Sequence, residues 1–277
     1  MHVVRPIDSD LDAAAVASFL KRTDFPSARL FGERKHVAFG MGEHGLLAIE
    51  QDEIVGVLQT AGDGFSAEIA AVDNARAQLL LAEYSHGASQ RLTVWSKNGL
   101  WDLILAAAGF DVERVLLHMT VALPMSLETD SRLKFTGFRP GDGQSWLELN
   151  NDAFRGHPEQ GGWSLSDFEA RQNMAWWDPA GLRLGWEGSQ LVASCWTKVT
   201  PDGVGEIYVI GVGEHHQGRG LGYAMTKEGL RYLWEDRGCV EGSLYVDQAN
   251  ARAVVAYESM GFVVNSADRS FSLVARF

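Results

Sequence analysis

The same order of short motifs occurs twice along this chain, and a chain that repeats itself on this scale folds as two copies of one unit. Val4-Arg5-Pro6 and Phe138-Arg139-Pro140 each introduce a polar turn and then an amphipathic helical stretch. Residues 46–56 read as two strands about a polar turn, and residues 182–193 read likewise. Glu68-Ile69-Ala70-Ala71-Val72 then matches Glu206-Ile207-Tyr208-Val209-Ile210, each a strand leading into a helix, and Gly109-Phe110 matches Gly261-Phe262. The repeated order predicts, in each half, a strand, helices, an antiparallel hairpin, a central strand, a helix, another strand and another helix. Such a unit is α/β or α+β, with a mixed, mostly antiparallel sheet flanked by helices. The expected domains are 1–130 and 137–277. Their linker lies within 123–136, where Pro124, Glu128, Asp130 and mixed polar residues interrupt any periodic pattern. A length of 277 residues allows two domains that each bury a core.

Composition narrows the class of function. Hydrophobic residues at 46% and charged residues at 22% describe a folding chain rather than a disordered one. A formal charge of −12 argues against nucleic acid, whose phosphates call for a concentrated basic surface, but it leaves room for one anionic ligand held locally. No apolar run approaches the roughly 18 to 20 residues that span a bilayer, and the first residues lack a secretory apolar segment, so the expectation is a cytoplasmic protein. A monomer is expected as well, although no residue pattern fixes the oligomeric state. Cys195 and Cys239 are too few for a disulfide framework and share no metal-ligand spacing; reduced core thiols are expected. His215 and His216 lack a third ligand at usable spacing and read as an exposed turn, and no metal is expected. Trp163, Trp176, Trp177, Trp186 and Trp196 read as core and pocket wall.

The most informative segment runs from a strand, 205–212, through a loop into a helix. Gly218, Gly220 and Gly222 remove the Cβ atoms that would keep an anion from the backbone, so consecutive N–H groups at the helix start can converge on phosphate oxygens. Arg219 can add a charge-assisted bond. A P-loop would need Lys and then Ser or Thr after the last glycine, and this loop has Leu221 and Tyr223 flanking Gly222. The dinucleotide fingerprint fails too, because the sixth position counted from Gly218 is Tyr223. The first half has no glycine at the matching place. It reads Val72-Asp73-Asn74-Ala75-Arg76-Ala77-Gln78-Leu79-Leu80-Leu81, and its leucines are expected to block phosphate approach, leaving a structural or substrate-positioning domain.

A second helix follows a second strand: Asn250, Ala253, Tyr257 and Gly261-Phe262 stand in one row behind Ser243-Leu244-Tyr245-Val246. Gln217-x-x-Gly220-x-Gly222 and Asn250-x-x-Ala253-x-x-x-Tyr257-x-x-x-Gly261-Phe262, in this order, resemble the two signature motifs of the GNAT N-acetyltransferases. The resemblance implies two tandem GNAT-like domains, the first degenerate and the second catalytic. It also implies acetyl-CoA as cosubstrate, its pyrophosphate on Gln217, Gly218, Arg219, Gly220, Leu221, Gly222 and Tyr223. The pantetheine arm then lies beside Ile210, Gly211 and Val212, and the second motif contributes Asn250, Arg252 and Ala253.

Further segments resemble the mycothiol synthase family of tandem GNAT enzymes. These are Asn150-Asn151-Asp152-Ala153-Phe154, His157 to Trp163, Trp177 to Leu182, Trp196-Thr197-Lys198-Val199 and Gly205 to Gly222, with a thinner likeness at Phe31-Gly32-Glu33. The implied acceptor is the cysteinyl amine of cysteinyl-glucosaminyl-inositol, contacted by Glu33, Glu159, Lys198, Glu206 and Tyr245. The chemistry fits these residue types. A carboxylate on the central strand, Glu206, can take the proton of the attacking ammonium, and a phenol, Tyr257, can protonate the leaving thiolate. A backbone N–H near Ile210 can stabilise the oxyanion. Each residue also has a structural reading: solvated acids at Glu33 and Glu159, a half-buried strand tyrosine at Tyr245, a cation partner for Glu206, and packing for Tyr257. Two other functions stay open: acetylation of another small amine, such as an aminoglycoside, polyamine or amino acid, and a non-catalytic acyl-CoA-binding regulator.

Overall fold

The computed structural model describes residues 2–22, 44–60, 65–86, 90–124, 132–155 and 161–274. The first half runs through strand β1 (His2–Pro6), helix α1 (Ser9–Arg22), strands β2 (Gly45–Glu50), β3 (Glu53–Thr60) and β4 (Ser66–Ala71), helix α2 (Asn74–Ser85), strand β5 (Leu92–Ser96), helix α3 (Asp102–Ala107) and strand β6 (Asp111–Ala122). The second half continues with β7 (Lys134–Gly137), α4 (Gly143–Ala153), α5 (Leu165–Gln172), β8 (Leu182–Glu187), β9 (Gln190–Val199), β10 (Gly205–Val212), α6 (Leu221–Arg231), β11 (Glu241–Asp247), α7 (Ala251–Ser259) and β12 (Val263–Leu273). No helix among the described residues is long and apolar enough to cross a membrane.

The chain divides into two compact units. One is Met1–Leu117 with Asp247–Ala249 and Ser266–Phe277; the other is His118–Val246 with Asn250–Asn265. Against the bounds expected from sequence, 1–130 and 137–277, the described residues 118–124 group with the second unit and 266–274 with the first. Pairing accounts for the latter, because β12 lies antiparallel to β5, from Arg269 opposite Ser96 to Leu273 opposite Leu92.

In the first unit the strand order is β1-β2-β3-β4-β5-β12, antiparallel throughout except for the parallel pair β4–β5, which α2 connects. Alternation along β4 sends Ala67, Ile69 and Ala71 into a core with Leu80, Leu81, Trp101 and Phe271, and Ala70 to the opposite face with Val16, Phe19 and Leu20 of α1. The start of α2 differs from the sequence expectation. Leu80 and Leu81 pack into the core and Leu79 is 41% exposed, while the helix N-terminus is occupied by Asp73, whose carboxylate accepts from Arg76 N at 2.9 Å. Arg76 in turn pairs with Glu50 at 2.6 Å. A carboxylate cap, rather than leucine bulk, fills the place an anion would take.

The second unit has the order β11-β10-β9-β8-β7, with β10–β11 its parallel pair. One face carries an aromatic core of Trp146, Phe168, Trp196 and Tyr208, with Trp163, Trp176, Trp177 and Trp186 packed against it. Trp146 and Phe168 stack at 4.3 Å, and Trp196 meets Trp146 edge-on at 5.3 Å. Rings in these arrangements add about 0.5–1.5 kcal/mol per pair beyond the area they bury. On the other face α6 comes close because Cβ atoms are missing where it touches: a Cβ on Gly242 would meet Leu230 Cδ2 at 2.6 Å. Glu228 of α6, 2% exposed, accepts from Arg183 of β8 at 2.8 Å and from Arg231 at 2.9 Å, so a buried carboxylate with two guanidinium partners ties the helix to the sheet. Cys195 and Cys239 are buried free thiols.

Candidate active site

Strand β10 positions the site. It pairs antiparallel with β9, which sets Glu206 opposite Lys198, and the register slips between Ile207 and Val209, making Tyr208 a bulge. Its parallel ladder with β11 is short: Gly205, Glu206 and Ile207 face Gly242, Ser243 and Leu244, and the pairing ends there. Both strands run on, β10 to Val212 and β11 to Asp247. A bulge bends its strand and raises the local twist, so beyond Ile207 the edge of β10 turns from β11. The expected pantetheine contacts Ile210, Gly211 and Val212 all lie on this stretch.

The glycine loop follows. Gly218 and Gly220 take φ of +79° and +81°, and Gly220 is the N-cap of α6. Space is not the reason for glycine here, since a Cβ on Gly218 would meet nothing within 4 Å and one on Gly220 only Arg132 Nη2 at 3.9 Å. The left-handed backbone is the reason. Among the described residues no side chain caps α6, in contrast to α2, so its first N–H groups point outward with the positive end of the helix dipole. Leu221 is buried and anchors the turn, Tyr223 is 40% exposed, and Gln217 Nε2 donates to Val212 O at 3.3 Å. Arg219 is engaged elsewhere, gripping Glu187 through both nitrogens at 2.6 and 3.1 Å, with His216 Nδ1 at 3.0 Å. The Arg219 guanidinium, with weaker help from His216 and Arg132, holds the Glu187 carboxyl below its usual range. His215 is exposed and His216 half-buried, and no metal-binding group of three or more ligands occurs among the described residues.

Glu206 is 5% exposed, and its Oε2 is 3.2 Å from Lys198 Nζ. Tyr208 stands beside this pair. Burial raises its phenol above the ordinary value, and the positive charge of Arg171 is the main influence opposing the shift. Tyr257 lies in the second half of α7, half-buried, 5.7 Å from the Phe262 ring. Burial pushes its phenol up to about 12, with a smaller contribution from the Cys195 thiol. A phenol in that state keeps its proton at neutral pH, as an acid must. Asn250 caps α7 by accepting from Ala253 N at 3.2 Å, Arg252 is exposed on the first turn, and Ala253 is half-buried. Tyr245 stacks on His118 at 4.7 Å. Glu33 and Glu159 fall outside the described residues.

The strand, loop and helix lie where the sequence predicts them, and the structure adds what pairing alone reveals: the bulge, the short parallel ladder, and the approach of Lys198 Nζ to within 5.5 Å of the Tyr208 ring and 5.8 Å of the Trp176 ring. The run of tryptophans from Trp163 to Trp196 was the available signal for the last. An open cleft of about 380 Å³, lined by Asp152, Trp186, Gly213 and His216 among others, flanks the loop but takes in none of Glu206, Lys198 or Tyr257.

The acetyltransferase (GNAT) family model matches residues 144–262, a span that holds β10, the glycine loop, Lys198, Glu206 and Tyr257. A mycothiol acetyltransferase of Thermomonospora curvata is 39% identical over 238 residues, 80% of each chain. One of Catenulispora acidiphila is 36% identical over 233 residues, 77% of this chain and 74% of that one. Among solved structures, a GCN5-related N-acetyltransferase from Sphaerobacter thermophilus superposes with a TM-score of 0.70 at 18% identity, covering 100% of this chain and 96% of its own. A tandem GNAT protein from the clavulanic acid biosynthesis pathway gives 0.66 at 13% identity, over 100% and 99%. These two likenesses establish a shared fold.

Proposed function

Because this chain belongs to the mycothiol acetyltransferase family and carries a GNAT acetyltransferase domain, we propose that it acetylates the cysteinyl amine of cysteinyl-glucosaminyl-inositol, with acetyl-CoA as donor. The observation that carries the proposal is the convergence on β10 of an acid, an edge released from its parallel partner, and an uncapped helix entered through left-handed glycines. Gln217, Gly218, Gly220, Leu221, Gly222 and Tyr223 hold the pyrophosphate, chiefly through main-chain N–H groups, and Arg219 joins them only on leaving Glu187. Ile210, Gly211 and Val212 hold the pantetheine arm, while Asn250, Arg252 and Ala253 contribute from α7. The fit is supported by the outward N–H groups of α6 and by the left-handed backbone that Gly218 and Gly220 provide at its start.

Glu206 accepts the proton that the acceptor ammonium must lose. The freed nitrogen attacks the thioester carbonyl carbon while a main-chain N–H near Ile210 donates to the developing oxyanion, an interaction typically worth about 3 kcal/mol. The carbon–sulfur bond then breaks as Tyr257 donates its phenolic proton to the thiolate, the surplus proton on the attacking nitrogen passes to solvent water, and water reprotonates the Tyr257 phenolate. Lys198 and Tyr245, with Glu33 and Glu159, contact the acceptor. The first unit serves as a degenerate partner of the second, which carries the catalytic groups.

The test is an assay of the purified protein with acetyl-CoA and cysteinyl-glucosaminyl-inositol, beside an aminoglycoside, a polyamine and free amino acids. One CoA released per N-acetylated cysteinyl product, with the highest kcat/KM in the panel, is the expected result. A higher kcat/KM for another amine refutes the acceptor, and no release with any amine refutes catalysis.

A further inference from the structure

Lys198 occupies an enclosure suited to a cation. Its Nζ is 3.2 Å from Glu206 Oε2, 5.5 Å from the Tyr208 ring centroid and 5.8 Å from that of Trp176, within the roughly 6 Å over which a ring face attracts an ammonium. The two rings lie 4.9 Å apart at 57°, so they form adjoining walls. Both walls are braced. Tyr208 is 7% exposed and meets Trp196 edge-on at 5.6 Å, and Trp176 leans on Trp196 at 5.8 Å while keeping part of its surface open. A carboxylate with two aromatic faces is the composition that recognises an alkylammonium.

The proposed function brings a second ammonium to the same carboxylate. Two ammonium groups in contact with one carboxylate repel each other strongly in a partly buried site, so they do not share Glu206. Lys198 has a flexible four-carbon stem and can leave. Resting on that function, we infer that Glu206, Trp176 and Tyr208 form a cage for one primary ammonium, closed by Lys198 in the resting protein and taken over by the amine of the acceptor. Trp176 and Tyr208 are thereby specificity-determining residues. The first unit shows the same chemistry in closed form: Glu68, which matches Glu206 in the repeat, has Lys97 Nζ at 3.8 Å, with side chains 2% and 4% exposed.

Two measurements on the full chain test this. In steady-state kinetics, Trp176→Leu raises the KM for the acceptor roughly 10- to 30-fold and leaves the KM for acetyl-CoA within about twofold, while Trp176→Phe recovers most of the loss. In calorimetry, which needs no turnover, ethylammonium chloride binds about tenfold more tightly to Lys198→Met than to the unmodified protein, because the cage has been vacated. An unchanged acceptor KM in Trp176→Leu overturns the cage. So does a phenylalanine variant no better than the leucine one, a parallel loss of acetyl-CoA affinity, or ethylammonium binding that Lys198→Met does not tighten. Failure of the unmodified protein to acetylate the acceptor refutes the proposed function instead, and it is visible before any variant is compared.

Discussion

Replacing Gly220 with alanine separates the backbone of the loop from its bulk. The methyl group has room, since its nearest neighbour would be Arg132 Nη2 at 3.9 Å, but φ is +81°, where an L-residue is strained by about 1–2 kcal/mol. The free loop relieves that strain by moving to negative φ, which turns the first N–H groups of α6 away from their common focus. Binding must then restore it, so CoA affinity falls by the Boltzmann factor of the strain, roughly 5- to 30-fold. Gly203 supplies the control. It sits in the turn between β9 and β10, takes φ of +86°, and a Cβ there meets nothing within 4 Å. Gly203→Ala carries the same backbone penalty at the far end of β10, where it costs a few degrees of Tm and leaves CoA affinity unchanged, whereas Gly220→Ala, its strain relieved in the free loop, keeps most of its Tm and loses affinity. Calorimetric titration with CoA, paired with thermal melts, reads both. If the two variants bind CoA equally well, the left-handed turn at Gly220 does not organise an anion site and the placement of the pyrophosphate is wrong.

Three further outcomes are expected. Glu206→Gln keeps acetyl-CoA affinity within about twofold and lowers turnover at neutral pH by about 10²- to 10⁴-fold; undiminished turnover removes Glu206 from the reaction. Tyr257→Phe slows acetyl transfer without loss of fold, and it also alters alkaline stability. With the folded phenol at about 12 and the unfolded one near 10, the native state keeps a proton that the unfolded state has lost, so stability falls as pH rises between these values. Removing that phenol should make the alkaline arm of a Tm-versus-pH curve shallower, and an identical arm would contradict the shift. In the first unit, Arg5 grips Asp12 at 2.6 and 2.8 Å and holds its carboxyl at about 2 against an ordinary 3.8. That contribution is complete above 3.8 and fades as pH drops to about 2, so Asp12→Asn flattens the acid arm there. Arg5 is 40% exposed, and screening keeps the stake near 1 kcal/mol at most; an acid arm as steep as before counts against the pair.

The strand, loop and helix of the site were legible because their signals are local: glycines at 218, 220 and 222, and the row of Asn250, Ala253 and Tyr257. What was not legible depends on pairing between distant residues. The bulge at Tyr208 and the end of the β10–β11 ladder at Ile207 leave no mark in residue types, since Val209, Ile210 and Val212 would suit a continuous ladder equally well. The pairing of β12 with β5, which places residues 266–274 in the first unit, is not legible for the same reason, because a strand's partner is not written in its own alternation. Arg219 shows a third limit. Its place in the loop marks it as a phosphate ligand, and nothing local reveals that Glu187, 32 residues earlier, holds it.

The proposed loss of cofactor binding by the first unit has a physical account in two substitutions of one kind. At the start of α2, Asp73 supplies a negative charge to N–H groups that Gly220 leaves open in α6. At the acid of the central strand, Lys97 supplies a positive charge to Glu68 where an acceptor would bring its own. A tethered carboxylate or ammonium acts at an effective concentration in the millimolar range or above, so a free ligand of similar intrinsic affinity loses the competition. Neither change disturbs the fold, because each satisfies a group that folding would otherwise leave to solvent. The second unit resolves the same demand in the opposite way. It leaves the helix uncapped and lets Lys198, at the partly exposed rim, hold Glu206 only until a better partner arrives. Stability and activity thus pull on the same two positions, and a duplicated chain can satisfy both by giving each copy one of the answers.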